Sequence, residues 1–191
     1  MAELVDALVS NTSGSDTVPV RSRPRVQTKE TLRKRVFFKQ LTMNKELYPY
    51  GARQDQFDRR YLEMAQVWAK NSYCIRRQVG ALIVKGRMII SDGFNGTPSG
   101  FENICEDDEG KTKSYVLHAE ANAITKVAKS NNSSEGATLY VTSSPCVECA
   151  KLIIQSGIRR VVFKDDYHKV EGIELLQRAK IEVVKIEMNE K

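Results

Sequence analysis

Apolar and polar residues alternate regularly from about residue 55 onward, and this pattern predicts a series of helices and strands. Between residues 57 and 68 apolar side chains recur at intervals of three and four, which predicts an amphipathic helix. Two compact apolar runs, at 79–84 and 88–91, flank a Lys-Gly-Arg turn and predict a β-hairpin. A loop rich in glycine and polar residues is expected from 92 to about 115.

The second half of the chain predicts three more helices and three more strands. The helices are expected at 119–129, 146–155 and 171–180, and the strands at 137–142, 160–163 and 181–186. Strands that alternate with helices imply right-handed parallel crossovers, with helices on both faces of the sheet. The predicted fold class is therefore α/β, a three-layer α-β-α sandwich with a five-stranded mixed sheet.

The first 42 residues lack this periodicity and are predicted to lie outside the folded domain. They combine small polar residues with an irregular succession of Pro, Arg and Val, which is typical of a flexible extension. A second interpretation is that this segment is spurious, because it resembles a transfer-RNA gene translated from a misplaced start. Met43 would then be the natural start, and residues 43–191 form the folded domain in either case.

The net charge of +6 is concentrated in this extension. Residues 1–42 carry eight Lys and Arg against four Asp and Glu, whereas the rest carries 22 against 20. A nearly neutral body does not favour a nucleic-acid partner. The chain also lacks an apolar run of roughly 20 residues and a secretory signal pattern, so the sequence predicts a cytoplasmic protein without a membrane partner.

Two short motifs carry the candidate chemistry. His-Ala-Glu occupies 118–120 and Pro-Cys-Val-Glu-Cys occupies 145–149, each where a helix is expected to begin. This is the spacing that zinc nucleobase deaminases use. One imidazole (His118) and two thiolates (Cys146 and Cys149) supply three zinc ligands and leave the fourth position open to water, as in catalytic sites. Glu120 is then the expected proton carrier.

Other interpretations of the cysteines remain open at this point. A Cys-x-x-Cys pair also occurs in redox proteins and in structural zinc sites, and Cys74 or Cys105 could close the coordination sphere. The catalytic interpretation is favoured because both motifs begin predicted helices. Cys74 and Cys105 are interpreted as an ordinary buried thiol and a loop thiol.

Beyond these motifs, residues 57–186 resemble the deoxycytidylate (dCMP) deaminases of the cytidine deaminase-like superfamily. The resemblance rests on the segments 78–84, 93–100 (Gly-Phe-Asn-Gly-Thr-Pro-Ser-Gly), 117–124, 137–142, 145–154 and 166–168 (Asp-Tyr-His). It implies hydrolytic deamination of dCMP to dUMP, which supplies thymidylate synthesis, and one catalytic Zn²⁺ per subunit. It also implies a homo-oligomer, hexamers being common in the family, and regulation by dCTP or dTTP. A second zinc is not expected, because the loop before His118 has one cysteine and no histidine.

The resemblance also nominates substrate contacts. The predicted substrate-binding residues are Asn95, Gly96, Thr97, Ala119, Ser144, Tyr167 and Arg76. Arg76, together with Arg77 and Lys113, is a candidate for the phosphate, although a solvated surface charge is the favoured interpretation for each of them taken singly. The glycines of 93–100 would let the backbone approach a ligand closely.

The alternatives to a dCMP deaminase come from two classes. A transfer-RNA adenosine deaminase, or a deaminase of another cytosine nucleoside or base, would share the zinc chemistry. A zinc-stabilised nucleotide-binding module or a redox dithiol protein would have no deaminase activity. A glutamate at position 120 argues against a module, since a structural zinc site does not need it.

Overall fold

The computed structural model of the protein describes residues 51–167 and 170–188. The predicted extension at residues 1–42 and His168 lie outside these ranges. Within them the order of elements is the predicted α-β-β-α-β-α-β-α-β. The helices are α1 (Gly51–Ala69), α2 (Ala119–Ala128), α3 (Val147–Gln155) and α4 (Glu171–Arg178). The strands are β1 (Gly80–Lys85), β2 (Met88–Phe94), β3 (Thr138–Ser143), β4 (Arg160–Asp165) and β5 (Glu182–Lys185).

The five strands form one mixed sheet in the order β2-β1-β3-β4-β5. β1 is antiparallel to both of its neighbours, whereas β3, β4 and β5 run parallel to one another. Side chains on one sheet face pack with α2, α3 and α4, and those on the other pack with α1. The predicted three-layer sandwich is therefore confirmed.

A buried charge network attaches α1 to its face of the sheet. Asp58 is fully buried, and its carboxylate accepts hydrogen bonds from the two terminal nitrogens of Arg160 at 2.9 and 2.7 Å. The Tyr140 hydroxyl donates to the same carboxylate at 2.8 Å. The buried acid of α1 is therefore compensated by groups from β3 and β4. Arg160 also pairs with Glu182 of β5 at 3.0 Å.

β2 extends further than the sequence predicts. The strand continues to Phe94, three residues into the expected loop, and it passes directly beneath α2. A side chain at Gly93 would collide with the backbone of Ala119 and Ala123, so glycine is required here for close packing rather than for a turn. This approach holds the start of α2 against the sheet. Over the described ranges, no helix is long and apolar enough to cross a membrane.

Candidate metal centre and cavity

Two helices begin at the same edge of the sheet and bring the two motifs together. His118 is the residue that precedes α2, and Cys146 is the residue that precedes α3. β3 leads into α3 through a short loop, and the Ser144 amide donates to the carbonyl of Asp165 at the end of β4. The helix N-termini carry partial positive charge, which favours thiolates and carboxylates at this position.

The three predicted ligands lie within reach of one ion. The Sγ atoms of Cys146 and Cys149 are 3.5 and 3.4 Å from Nδ1 of His118. The three donor atoms lie within 4.8 Å of one another, and in the described part of the chain they form the one such group of His, Cys, Asp or Glu. Two sulfurs and one imidazole nitrogen suit zinc, and three protein donors leave a coordination position for a further ligand.

The three candidate ligands influence one another's pKa values. The hydrogen bond from Cys149, together with His118, lowers the pKa of Cys146 to about 3. A hydrogen bond with Cys146 raises the pKa of His118. The hydrogen bond with Cys146 and burial raise the pKa of Cys149. Both cysteines must be thiolates to hold a metal ion, so metal binding releases protons.

Glu120 lies in the first turn of α2, two residues after His118, and it lines the same cavity. Its side chain is only 4% exposed, and burial raises the pKa of its carboxyl group. A buried carboxyl group with a raised pKa can both accept and release a proton.

Two of the three ligands, His118 and Cys146, line a cavity of about 240 Å³. Five of the predicted substrate residues line it: Arg76, Asn95, Ala119, Ser144 and Tyr167. Arg77 also lines it, with its guanidinium 6.0 Å from the centre of the Tyr167 ring. The two arginines give one wall a positive charge.

Two of these polar residues also support the walls. The Asn95 side chain accepts from the Val79 amide at 2.7 Å and donates to the Arg77 carbonyl at 2.8 Å. The Ser144 hydroxyl accepts from the Tyr167 amide at 2.7 Å. Asn95 retains a second amide hydrogen and Ser144 retains its hydroxyl hydrogen, so either side chain can still donate a hydrogen bond to a substrate. Both substrate contacts stay predictions.

Gly96 and Thr97 do not belong to the cavity wall. Gly96 pairs with Leu117 through two backbone hydrogen bonds, and the Thr97 hydroxyl donates to the carbonyl of Glu102. Lys113, a weaker phosphate candidate, lies 3.9 Å from Glu102. Gly96 and Thr97 can therefore shape the pocket only through neighbours that do line it. Lys113 likewise lies outside the lining.

Three wall residues with polar oxygen atoms in their side chains, Glu106, Thr112 and Ser143, were not predicted. The carboxylate of Glu106 is buried and accepts from the amides of Ile75 and Arg76 at 3.1 and 3.2 Å, while Thr112 lies 3.4 Å from the Arg76 guanidinium. In the sequence Glu106 begins a run of acidic residues, which is typical of a solvent-exposed loop. Ser143, the third, directly precedes the Ser144 that was predicted.

The interpretation of Cys74 and Cys105 as separate thiols is wrong, because the two form a disulfide. Both residues are buried, and the bond links the segment after α1 to the loop that carries Glu106. Neither cysteine is therefore available as a fourth ligand. The sequence did not predict this pairing, because the two cysteines are 31 residues apart and disulfides are rare in the cytoplasm, where the protein is expected.

We expect reduction of this disulfide to lower the melting temperature by about 10 °C, because the bond closes a loop whose cross-linking stabilises a protein by about 3 kcal/mol. Thermal unfolding with and without tris(carboxyethyl)phosphine measures the shift. Cys105→Ser should melt at the lower temperature and no longer respond to the reductant. Equal melting temperatures for the wild type in both conditions would contradict the expectation.

Comparisons with known proteins agree with this geometry. The family described as the cytidine and deoxycytidylate deaminase zinc-binding region matches residues 55–165. The deoxycytidylate deaminase of Enterobacteria phage T4 is 34% identical over 168 residues, covering 65% of this chain and 87% of that protein. The human deoxycytidylate deaminase is 40% identical over 121 residues, covering 56% and 65%.

A solved structure extends the similarity to the fold. The dCMP deaminase of the cyanophage S-TIM5, crystallised in complex with dCMP and dUMP, superposes with a TM-score of 0.67 at 42% identity. The match covers 69% of this chain and 97% of the phage protein. The family match at residues 55–165 spans β1 to β4 and the starts of α2 and α3.

Proposed function

Because the chain belongs to the cytidine and deoxycytidylate deaminase zinc-binding family, we propose that it hydrolyses dCMP to dUMP and ammonia, supplying dUMP for thymidylate synthesis. The observation that carries the proposal is the position of Glu120, a buried acid that lines the same cavity as His118 and Cys146. A purely structural metal site has no use for such a carboxylate.

The chain binds one zinc ion per subunit, and His118, Cys146 and Cys149 are the residues that would hold it. When bound, zinc lowers the pKa of a water molecule from 15.7 toward about 7, so that hydroxide becomes available at neutral pH.

The proton transfers fall to Glu120. Its carboxylate accepts a proton from the attacking water and delivers one to the ring nitrogen of the pyrimidine. It then takes the proton of the hydroxyl group now bound to the ring carbon and passes it to the amino group, which leaves as ammonia as the carbonyl forms. The buried position of Glu120 keeps bulk water from competing for these protons. Ala119 and Ser144 in the cavity wall orient the base beside this carboxylate.

The phosphate of the nucleotide would bind at the positively charged wall. Arg76 and Arg77 both line the cavity, and the Glu106 carboxylate fixes the backbone at Arg76. A guanidinium forms strong charge-assisted hydrogen bonds with phosphate oxygens. Tyr167 closes the same side, with its ring near Arg77.

Ammonia release with cytosine, deoxycytidine, CMP, dCMP and dCTP, together with an adenosine-containing anticodon stem-loop, tests the proposal on the wild-type protein. We expect dCMP to give the highest kcat/KM. Because a phosphate contact is charge-assisted, Arg76→Gln should raise the KM for dCMP at least about tenfold and leave deoxycytidine unaffected.

Arg159→Gln is the matched control, since Arg159 is an exposed arginine paired with Glu135 and lies outside the cavity lining. It should retain wild-type constants. Turnover of the RNA alone would overturn the proposed substrate, and an equal rise in KM for deoxycytidine would overturn the phosphate role of Arg76.

Other features remain predictions from the sequence. We propose that the protein acts in the cytoplasm as a homo-oligomer, with a hexamer among the assemblies its family forms, and that dCTP and dTTP regulate it. The nearly neutral charge of residues 43–191 supports a small nucleotide rather than a nucleic acid as partner.

A further inference from the structure

The last residue of β3, Ser143, has its side chain on the metal-centre face of the sheet. Side chains alternate along a strand, and Leu139 and Val141 pack on the face covered by α2, α3 and α4. By this alternation Ser143 belongs to the same face, at the strand end nearest α3. It lines the cavity together with His118 and Glu120.

Three consecutive hydroxyl side chains occur here, and two of them have backbone partners. The Thr142 hydroxyl accepts from the Gly80 amide at 3.2 Å, and the Ser144 hydroxyl accepts from the Tyr167 amide at 2.7 Å. Ser143 is only 6% exposed, and its Oγ is the one buried side-chain oxygen or nitrogen without a partner among the described residues. A buried polar group without a partner is rare in folded proteins and calls for an explanation.

We propose that the Ser143 hydroxyl forms a hydrogen bond with the pyrimidine base and helps to determine base specificity, an inference that rests on the proposed function. Polar residues such as His118, Glu120 and Ser144 line the same cavity, but none of them forms a hydrogen bond with the Ser143 hydroxyl. A hydroxyl can donate to a ring nitrogen or carbonyl oxygen of the base and can also accept from its amino group. Binding of the nucleotide therefore supplies the partner that the protein itself does not.

Ser143→Ala tests the contact. We expect KM to rise about tenfold for dCMP and by the same factor for deoxycytidine, because the lost hydrogen bond is to the base and not to the phosphate. We expect kcat to change less than about threefold, since the base contact is made in the ground state as well. The melting temperature of the free variant should equal or exceed that of the wild type, because no bond is lost in the free protein.

Thr142→Val is the matched control, because the neighbouring hydroxyl has a backbone partner and does not line the cavity. This variant should melt about 3 °C lower or more and keep the wild-type KM.

An unchanged KM in Ser143→Ala, with or without a lower melting temperature, would overturn the inference. The proposed function would still stand in that case, because it is tested by dCMP turnover in the wild type. Absence of dCMP turnover in the wild type would overturn the proposed function itself, and this contact with it.

Discussion

Replacing Glu120 with glutamine should lower kcat for dCMP deamination by about 10³-fold or more while the protein keeps its zinc. Glutamine has nearly the same shape but cannot carry a proton between the attacking water, the ring nitrogen and the leaving ammonia. Because none of the three candidate ligands is changed, the metal content should remain one ion per chain. Ammonia release and elemental zinc analysis on the same preparation measure both quantities.

Glu148→Gln provides a closely matched control for this variant. Glu120 and Glu148 are each the second residue of a helix, in α2 and α3, but the Glu148 side chain is 77% exposed and pairs with Lys151. We expect Glu148→Gln to retain wild-type turnover. Unchanged turnover in Glu120→Gln would exclude Glu120 as the proton carrier, and zinc loss in that variant would mean that it contributes to metal binding.

The parts of the site that the sequence predicted are those encoded by local patterns. His118, Cys146 and Cys149 each lie at or just inside the start of a helix, and the sequence pattern predicts both starts to within one residue. The parallel strands β3 and β4 then bring the two helices to one edge of the sheet. The metal centre itself was predicted from the resemblance of the His-x-Glu and Pro-Cys-x-x-Cys motifs to those of zinc deaminases, and not from the strand order.

The parts that were missed depend on contacts between distant segments. The helical pattern gives no indication that Asp58 is buried, because its partner Arg160 lies 102 residues away in the sequence. The disulfide between Cys74 and Cys105 likewise joins segments that share no local pattern. Such pairs follow from the packing of α1 and the long loop, which sequence periodicity does not specify.

Ser143 and Ser144 illustrate the limit most directly, because they are adjacent and chemically identical. The sequence nominated Ser144 alone. The register of β3 and the hydrogen bonds around its end distinguish them: Ser144 holds the backbone of Tyr167, whereas Ser143 has a hydroxyl without a protein partner. The role of each serine therefore depends on its position in the strand and not on its residue type.

Replacement of Cys149 with serine should reduce zinc to below about a tenth of an ion per chain and abolish measurable deamination. Cys149 is 2% exposed in the first turn of α3, so its sulfur is a buried donor that solvent cannot replace. Two remaining protein ligands hold zinc far more weakly than three, and the acidified water that the reaction needs is lost with the ion. Elemental analysis after gel filtration and ammonia release from dCMP measure the two effects.

Cys105→Ser is the appropriate control, because it also exchanges a buried cysteine for serine but lies outside the ligand group. We expect it to keep one zinc ion and its turnover despite its lower melting temperature, which separates metal loss from general destabilisation. Full zinc occupancy in Cys149→Ser would show that the ligand set is wrong. A wild-type protein without zinc would favour a redox dithiol, and zinc without any turnover would favour a nucleotide-binding module. The two variants and the wild type therefore distinguish all the functions that the cysteine pattern allowed.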